Sequence, residues 1–226
     1  MIAVLADSRR EALRRRIRLI VAGTIAYNAI EAVVAISAGA TASSAALIGF
    51  GLDSVVEVLS AAAVAWQFTR REPERWERPT LRVIAVSFFL LAAYVAVSAV
   101  LALAGVTRAE HSAVGLVLTA VSVAVMPLLS LAEYRTGREL GSATAVADSR
   151  QTLICAALSV AVLVGLALNT LLGWWWADSV AALVIVVFAV REGIEAWRGD
   201  SCATSVGMIL EGDHEHDDDH NEGARA

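Results

Sequence analysis

Two carboxylic acids, Asp53 and Glu57, stand four residues apart in the otherwise almost wholly apolar stretch GLDSVVEVLSAAAVAW, residues 51–66. In an α-helix this spacing places both side chains on one face, one turn apart. Two anions so close in a medium of low dielectric constant repel each other strongly, so they need a bound cation, a shared proton or both. The pair therefore predicts a site that binds a cation or a proton.

A second stretch, ADSRQTLICAALS at residues 147–159, offers a matching set of polar side chains. Four of them recur at i, i+3, i+4 and i+7 and share one helix face: Asp148, Gln151, Thr152 and Cys155. Two carboxylates, a thiolate and an amide oxygen suit a borderline divalent ion, so the expected ion is Zn²⁺, with Fe²⁺, Co²⁺, Cd²⁺ and Mn²⁺ as alternatives. Because ligands must be deprotonated, protons compete with the metal, which predicts proton-coupled exchange without any prosthetic group.

Other polar side chains are weaker candidates for metal binding. Asn28 and Glu31 share a face of the first apolar stretch, where they either support the metal site or join helices by hydrogen bonds. Near the C-terminus, DHEHDDDH holds three histidines among acids: His214, His216 and His220. This segment either collects metal weakly or forms a plain solvated acidic tail.

These candidates lie in a chain whose composition is that of a membrane protein. Of its 226 residues, 58% are hydrophobic, which is too apolar for an ordinary soluble domain. A helix needs about 20 mostly apolar residues to cross the hydrocarbon core, and six such windows can be drawn: 17–40, 45–68, 81–104, 111–133, 145–170 and 176–197. Only helices and closed barrels satisfy their backbone in lipid, and these runs are too long for barrel strands. The sequence predicts an all-α, polytopic bundle of six transmembrane helices.

The 18 basic residues, all of them arginine, are distributed unevenly despite the net charge of −5. They cluster in the N-terminal segment and in the second and fourth connections, whereas the odd-numbered connections hold only Arg108. The positive-inside rule then places both termini in the cytosol of a multi-pass cell-membrane protein. Basic charge beside a membrane indicates lipid contact and not nucleic-acid binding. The exclusive use of arginine suggests a bacterial source.

Three segments follow from these patterns. Residues 1–16 form a basic cytosolic segment, residues 17–198 the six-helix transmembrane domain, and residues 199–226 an acidic, histidine-containing cytosolic tail that is expected to be disordered. The second connection is expected to be a polar loop broken by Pro73 and Pro79. The windows contain no HExxH motif, no nucleophile–base pair and no interior histidine, so no enzymatic activity is predicted.

Depth along the helices tests whether the two polar stretches can meet. At 1.5 Å per residue, Glu57 lies about 16 Å and Asp53 about 22 Å from the inner end of span two near Phe68. Counted from about Ala143, Cys155 lies about 18 Å into span five, between the two carboxylates in height. The sequence therefore predicts that spans two and five are neighbours and share one mid-membrane site.

In these residues the chain resembles the cation diffusion facilitator family. The segment ASSAALIGFGLDSVVEVLSA resembles the family's span-two signature, in which Asp53 and Glu57 take the two ligand positions. ADSRQTLIC resembles the span-five signature, in which Gln151 and Cys155 take the ligand positions and Asp148 matches a preceding Asp. Gln151 departs from the family pattern, because it is a neutral amide where the family has a strong ligand.

The sixth span adds to the resemblance, which covers about residues 17–198. WWWADSVAALVIVVFAVREG resembles the family's span six, with Asp178 at the matching outer-end Asp. The resemblance implies a six-span divalent-cation efflux transporter working by alternating access, with both termini cytosolic. Members commonly carry a cytosolic α/β domain after span six, and fewer than 30 residues follow here. This chain is expected to be a variant without that domain, and a homodimer would form through its spans.

A function of another class stays open at this point. A non-transporting membrane protein, either a metal sensor or an accessory subunit, would use the same ligands. It would bind metal without moving it, so a flux measurement separates the two functions.

Overall fold

The computed structural model describes residues 2–68, 73–140 and 143–198, and six α-helices account for nearly all of them. The helices are α1 (Ile2–Ala42), α2 (Ala45–Phe68), α3 (Pro73–Leu103), α4 (Ala113–Leu140), α5 (Ala143–Leu172) and α6 (Trp175–Arg198). Within these ranges there is no β-strand. The predicted all-α fold is confirmed, and we call the end of the bundle where α2 ends and α5 begins the inner end.

The helices are built to cross a membrane. α1 to α5 each contain a stretch of at least 18 residues that is long and apolar enough to span one. α6 falls short of this measure because Asp178 stands near its start and Arg191, Glu192 and Glu195 near its end. It is nevertheless part of the bundle, because it packs along α3, α5 and α2.

α2 occupies the centre of the bundle. It contacts α1, α3, α5 and α6, and it is the most buried of the five long apolar helices. The most extensive contacts join α4 to α5 and α3 to α6, whereas α2 meets α5 over only a short stretch. Small residues permit the close contacts: a Cβ on Gly51 would lie 2.9 Å from Ala35 Cβ, and one on Gly165 would lie 2.8 Å from Ala181 Cβ.

One helix start differs from the expectations. α3 begins at Pro73, so the predicted loop through Pro73 and Pro79 is wrong for those residues. Proline suits the first helical position because its missing N–H would be unpaired there, and Pro79 forgoes only one bond, to the carbonyl of Arg75. The basic segment 1–16 is continuous with the first span, because α1 runs unbroken for 41 residues, about 61 Å.

Aromatic residues lie at both ends of the bundle. Trp66 and Trp76 pack edge to face at 5.2 Å, where α2 ends and α3 begins. At the opposite end Trp174 and Trp176 stack at 5.3 Å, and the Arg108 guanidinium lies over the Trp175 ring. Such pairs fit the interfacial belt expected of membrane proteins, where an amphipathic ring sits at the headgroup level.

Candidate metal centre

Three potential metal ligands meet where α2 and α5 touch. One oxygen each from Asp53 and Glu57 and the sulfur of Cys155 all lie within 4.8 Å of one another. Asp53 and Cys155 are each only 8% exposed, and Glu57 is half-buried. The helical repeat places both acids on the same face of α2, and Cys155 Sγ is hydrogen-bonded to Glu57 Oε1. Cys155 is 98 residues from Glu57 in the sequence. The packing of α5 against α2 therefore brings the sulfur to the two acids.

Asn28 adds a contact from α1. Its Nδ2 donates a hydrogen bond of 2.5 Å to Glu57 Oε2, so the two oxygens of Glu57 face a thiol on one side and an amide on the other. Its other amide atom, Oδ1, is buried and, among the described residues, has no hydrogen-bond partner. A buried acceptor without a donor costs free energy unless a ligand or water satisfies it. Asn28 Oδ1 is therefore well suited to contact a metal ion or a water bound to it.

Glu31 lies one turn farther along α1 and joins three helices. Its Oε2 accepts a hydrogen bond of 2.9 Å from Ser54 of α2, and its Oε1 accepts one from Ser122 of α4. The Tyr27 hydroxyl in turn lies 2.7 Å from Ser122 Oγ. Glu31 is 2% exposed, and hydroxyl donors engage both of its oxygens, so it supports the helix arrangement beside the three-ligand group.

An apolar cleft runs past this network between the outer halves of α1 and α4. Its volume is about 550 Å³, and Tyr27, Glu31, Val34, Val114 and Val117 are among its lining residues. Because α4 begins at Ala113 on the outer side, the cleft extends from the level of Tyr27 and Glu31 towards the outer end of the bundle.

Asp178 lies away from the three-ligand group, at the opposite end of the bundle from the inner end. Its Oδ1 accepts a hydrogen bond of 2.5 Å from Ser44, and its Oδ2 accepts one of 3.3 Å from the backbone N–H of Ala46. Ser44 Oγ also accepts from the Leu47 N–H at 3.0 Å, as helix-capping serines do. Asp178, which is 1% exposed, thus ties the start of α6 to the start of α2.

The remaining sequence candidates fall outside what the structure describes. Asp148 and Gln151 belong to α5, one to two turns nearer the inner end than Cys155, and their side chains are outside the described part. His214, His216 and His220 lie beyond residue 198, where the described chain ends.

A buried acid that sequence reasoning does not single out is Glu133 on α4. It is fully buried, and it accepts hydrogen bonds from Thr24 of α1 and Thr152 of α5. The signal that could have found it is periodic: small and polar residues recur every three or four positions along α4, and all are buried, including Thr119, Ser122, Ser130, Glu133 and Thr136. That stripe marks a face turned to the bundle interior, where an acid is rarely accidental.

The three-ligand group suits a single divalent ion. Around tetrahedral zinc, with Zn–O about 2.1 Å and Zn–S about 2.3 Å, ligand atoms are separated by about 3.3 to 3.8 Å. An ion would therefore change the separations of these atoms by up to about 1.5 Å, a movement that side-chain rotation can supply. It would also compensate the two carboxylates, which would otherwise repel each other inside the bundle.

Comparison with known proteins agrees with the geometry. The family model described as the cation efflux transmembrane domain matches residues 21–198. No curated protein sequence matches the chain. The matched range includes all three members of the ligand group and nearly the whole helical bundle. The family consists of transporters and not of enzymes, and the chain belongs to it, the cation efflux or cation diffusion facilitator family.

Proposed function

We propose that this membrane protein exports Zn²⁺ from the cytosol in exchange for protons, by alternating access around Asp53, Glu57 and Cys155. The observation that carries the proposal is the approach of these three ligand atoms, within 4.8 Å, across α2 and α5, two helices that otherwise contact each other little. An ion held there bridges the two helices, so its binding and release are coupled to their relative position. Fe²⁺, Co²⁺, Cd²⁺ and Mn²⁺ remain alternative substrates.

The chemistry of the ligands supports zinc and proton exchange. A thiolate together with carboxylates favours a borderline ion over Mg²⁺ or Ca²⁺, which prefer oxygen alone. Zinc requires deprotonated ligands, so binding from one side releases protons, and protons arriving from the other side displace the metal. Within the same proposal, Asp148 is an entry ligand towards the inner end, Gln151 a weak ligand and Asn28 a support for Glu57.

The orientation and the segments outside the helices complete the proposal. The arginine-rich inner end faces the cytosol and residues 199–226 follow there, with His214, His216 and His220 collecting metal near the entrance. The host membrane is a bacterial cell membrane. A homodimer, where it forms, uses the transmembrane helices.

Zinc flux into proteoliposomes that enclose a zinc-sensitive dye tests the proposal. The full chain should transport zinc, and Asp53→Asn combined with Glu57→Gln should reduce the rate at least tenfold. Glu110→Gln is the matched control, since it removes an exposed acid in the connection after α3, and it should transport at the wild-type rate. A double variant that transports as well as wild type would show that the acids are not the site. Zinc binding without flux in the wild type would instead favour the sensor or accessory function.

A further inference from the structure

Glu133 lies in the bundle interior, apart from the three-ligand group. It is the only one of the described acids with 0% exposure. Its position seven residues before the end of α4 puts it about 10 Å from the inner end, whereas Cys155 is about 18 Å from it. Its contact with Thr152, which stands three residues nearer the inner end than Cys155, likewise puts Glu133 on the inner side of the metal centre, towards the cytosolic face in the proposed orientation.

The carboxylate is held by neutral groups from two other helices. Thr24 Oγ1 of α1 donates to Oε1 at 3.1 Å, and Thr152 Oγ1 of α5 donates to Oε2 at 2.9 Å. Among the described side chains, no arginine or histidine forms an ion pair with it. A buried anion without a countercharge is costly in a membrane, so a bound proton is the simplest way to neutralise it.

The hydrogen bonds around Glu133 can accommodate either protonation state without movement of the helices. The Thr24 hydroxyl lies 3.1 Å from the backbone carbonyl oxygen of Ile20 as well as 3.1 Å from Glu133 Oε1. A hydroxyl has one donor and two acceptor sites. When Glu133 is ionised, Thr24 donates to it. When Glu133 is protonated, Thr24 can accept that proton's hydrogen bond and donate to Ile20 instead.

Titratable groups stand near this contact on all three helices. Within two helical turns of Thr24, Glu133 and Thr152, the titratable side chains are Arg18, Tyr27 and Glu31 on α1, Tyr134, Arg135, Arg138 and Glu139 on α4, and Asp148, Arg150 and Cys155 on α5. Of these, the four on α4 belong to the same helix as Glu133, and all four are exposed. Thr152, which contacts Glu133, stands one turn from Cys155 on α5. A divalent ion at the metal centre would place a double positive charge about one turn of α5 from Thr152, the residue that donates to Glu133, and could change the protonation of Glu133.

We propose that Glu133 is a proton-binding site separate from the metal centre, and that it releases its proton when the metal binds. The inference rests on the proposed function, because it needs a divalent ion at Asp53, Glu57 and Cys155. The positive charge of the ion, bound about one turn of α5 from the Thr152 that contacts Glu133, favours the ionised form of Glu133. Glu133 thereby adds a proton to those displaced from the ligands. Its protonation depends on whether the metal is bound, although the metal does not touch it.

Calorimetric zinc titrations of the purified full chain test this inference. Run in two buffers of different ionisation enthalpy at several pH values, they give both the zinc affinity and the protons released per zinc. Glu133→Gln removes the titratable group but retains hydrogen-bonding atoms for both threonines. At acidic pH the variant should match the wild type, because Glu133 keeps its proton there. As the pH rises, the variant should release up to one proton fewer per zinc than the wild type. The zinc affinity of the variant should then fall relative to that of the wild type by up to about tenfold per pH unit.

A purely structural role for Glu133 gives a different result. If Glu133 only joins helices, Glu133→Gln releases as many protons per zinc as the wild type at every pH, and the inference is overturned. Glu133→Met, an apolar side chain of similar length, keeps the test decisive should the glutamine variant misfold, because Thr24 retains Ile20 as its acceptor. Zinc binding with an unchanged proton count refutes this inference alone. A wild-type protein that does not bind zinc overturns both this inference and the proposed function.

Discussion

Neutralising one acid of the metal centre should have opposite effects on stability with and without metal. Glu57→Gln removes one charge of the Asp53–Glu57 pair and keeps the side-chain length and an oxygen that can accept from Asn28. The ligand oxygens of Asp53 and Glu57 are at most 4.8 Å apart. At an effective dielectric constant of about 20, two unit charges at that distance repel by about 3.5 kcal/mol.

The stabilisation of the metal-free protein should be smaller than that figure. When one acid takes up a proton, the wild type escapes part of the repulsion, so we expect Glu57→Gln to gain about 1 to 3 kcal/mol at pH 8 in a chelator. With zinc at about 1,000 times the Kd, the wild type gains about 4.1 kcal/mol and a variant that cannot bind gains nothing. The order of stability should therefore reverse when zinc is added.

Thermal unfolding of the purified protein in detergent measures this reversal. The Tm of Glu57→Gln should lie above that of the wild type in chelator, and zinc should raise only the wild-type Tm. Glu110→Gln provides the control, since it removes an exposed acid and should follow the wild type in both conditions. The reasoning is refuted if Glu57→Gln has the lower Tm in chelator, or if zinc raises its Tm as much as that of the wild type.

Three further predictions follow from the same contacts. Cys155→Ser should weaken cadmium binding about 100-fold and manganese binding less than tenfold, because a thiolate favours the softer ion; equal losses for both ions in competitive titrations would exclude the sulfur as a ligand. Asp178→Ala should lower the free energy of unfolding by about 1 to 2 kcal/mol, because it removes the contacts to Ser44 and Ala46. It should leave the zinc Kd within twofold of the wild-type value. A tenfold rise in Kd without loss of stability would place Asp178 in the metal site. Zinc affinity should fall by about tenfold per pH unit for each proton displaced as the pH is lowered from 8 to 6; an affinity that is independent of pH in this range would contradict proton competition.

The approach of Asp53, Glu57 and Cys155 could be predicted because helix geometry is nearly invariant. A repeat of 3.6 residues puts Asp53 and Glu57 on one face, and a rise of 1.5 Å per residue gives Cys155 the same depth as the acids. In a membrane the spans end at the same surface, so depths counted along different spans can be compared. The structure accordingly brings Cys155 into contact with Glu57.

Contacts that depend on how helices rotate against one another could not be predicted in the same way. The packing of α1 against α2 and α4 decides two such contacts. Asn28 donates to Glu57, and Glu31 accepts from Ser54 and Ser122. Glu133 stands at the edge of the fourth apolar window, beside Tyr134 and Arg135, where an acid looks interfacial. Only the extension of α4 to Leu140 shows that it lies well inside the helix.

The start of α3 shows a different limit of sequence reasoning. Pro73 and Pro79 in a charged stretch indicate a loop when proline is taken as a helix breaker. The structure has Pro73 as the first residue of α3 and Pro79 inside it. Proline disrupts a helix by removing a donor and by its bulk against the preceding turn. In the first turn, where Pro73 stands, neither penalty applies, whereas Pro79 in the second turn forgoes one bond, to the carbonyl of Arg75. Position within the helix decides the effect of the residue, and that position depends on where the helix begins.

X-ray absorption spectroscopy of the zinc-loaded protein tests the central claim most directly, because it reports the atoms bound to the metal. The proposed site predicts one sulfur at about 2.3 Å together with oxygen or nitrogen ligands at about 2.0 to 2.2 Å. The sulfur signal should disappear in Cys155→Ser. A zinc environment without sulfur in the wild-type protein, or a sulfur signal that persists in Cys155→Ser, would contradict a metal site formed by α2 and α5.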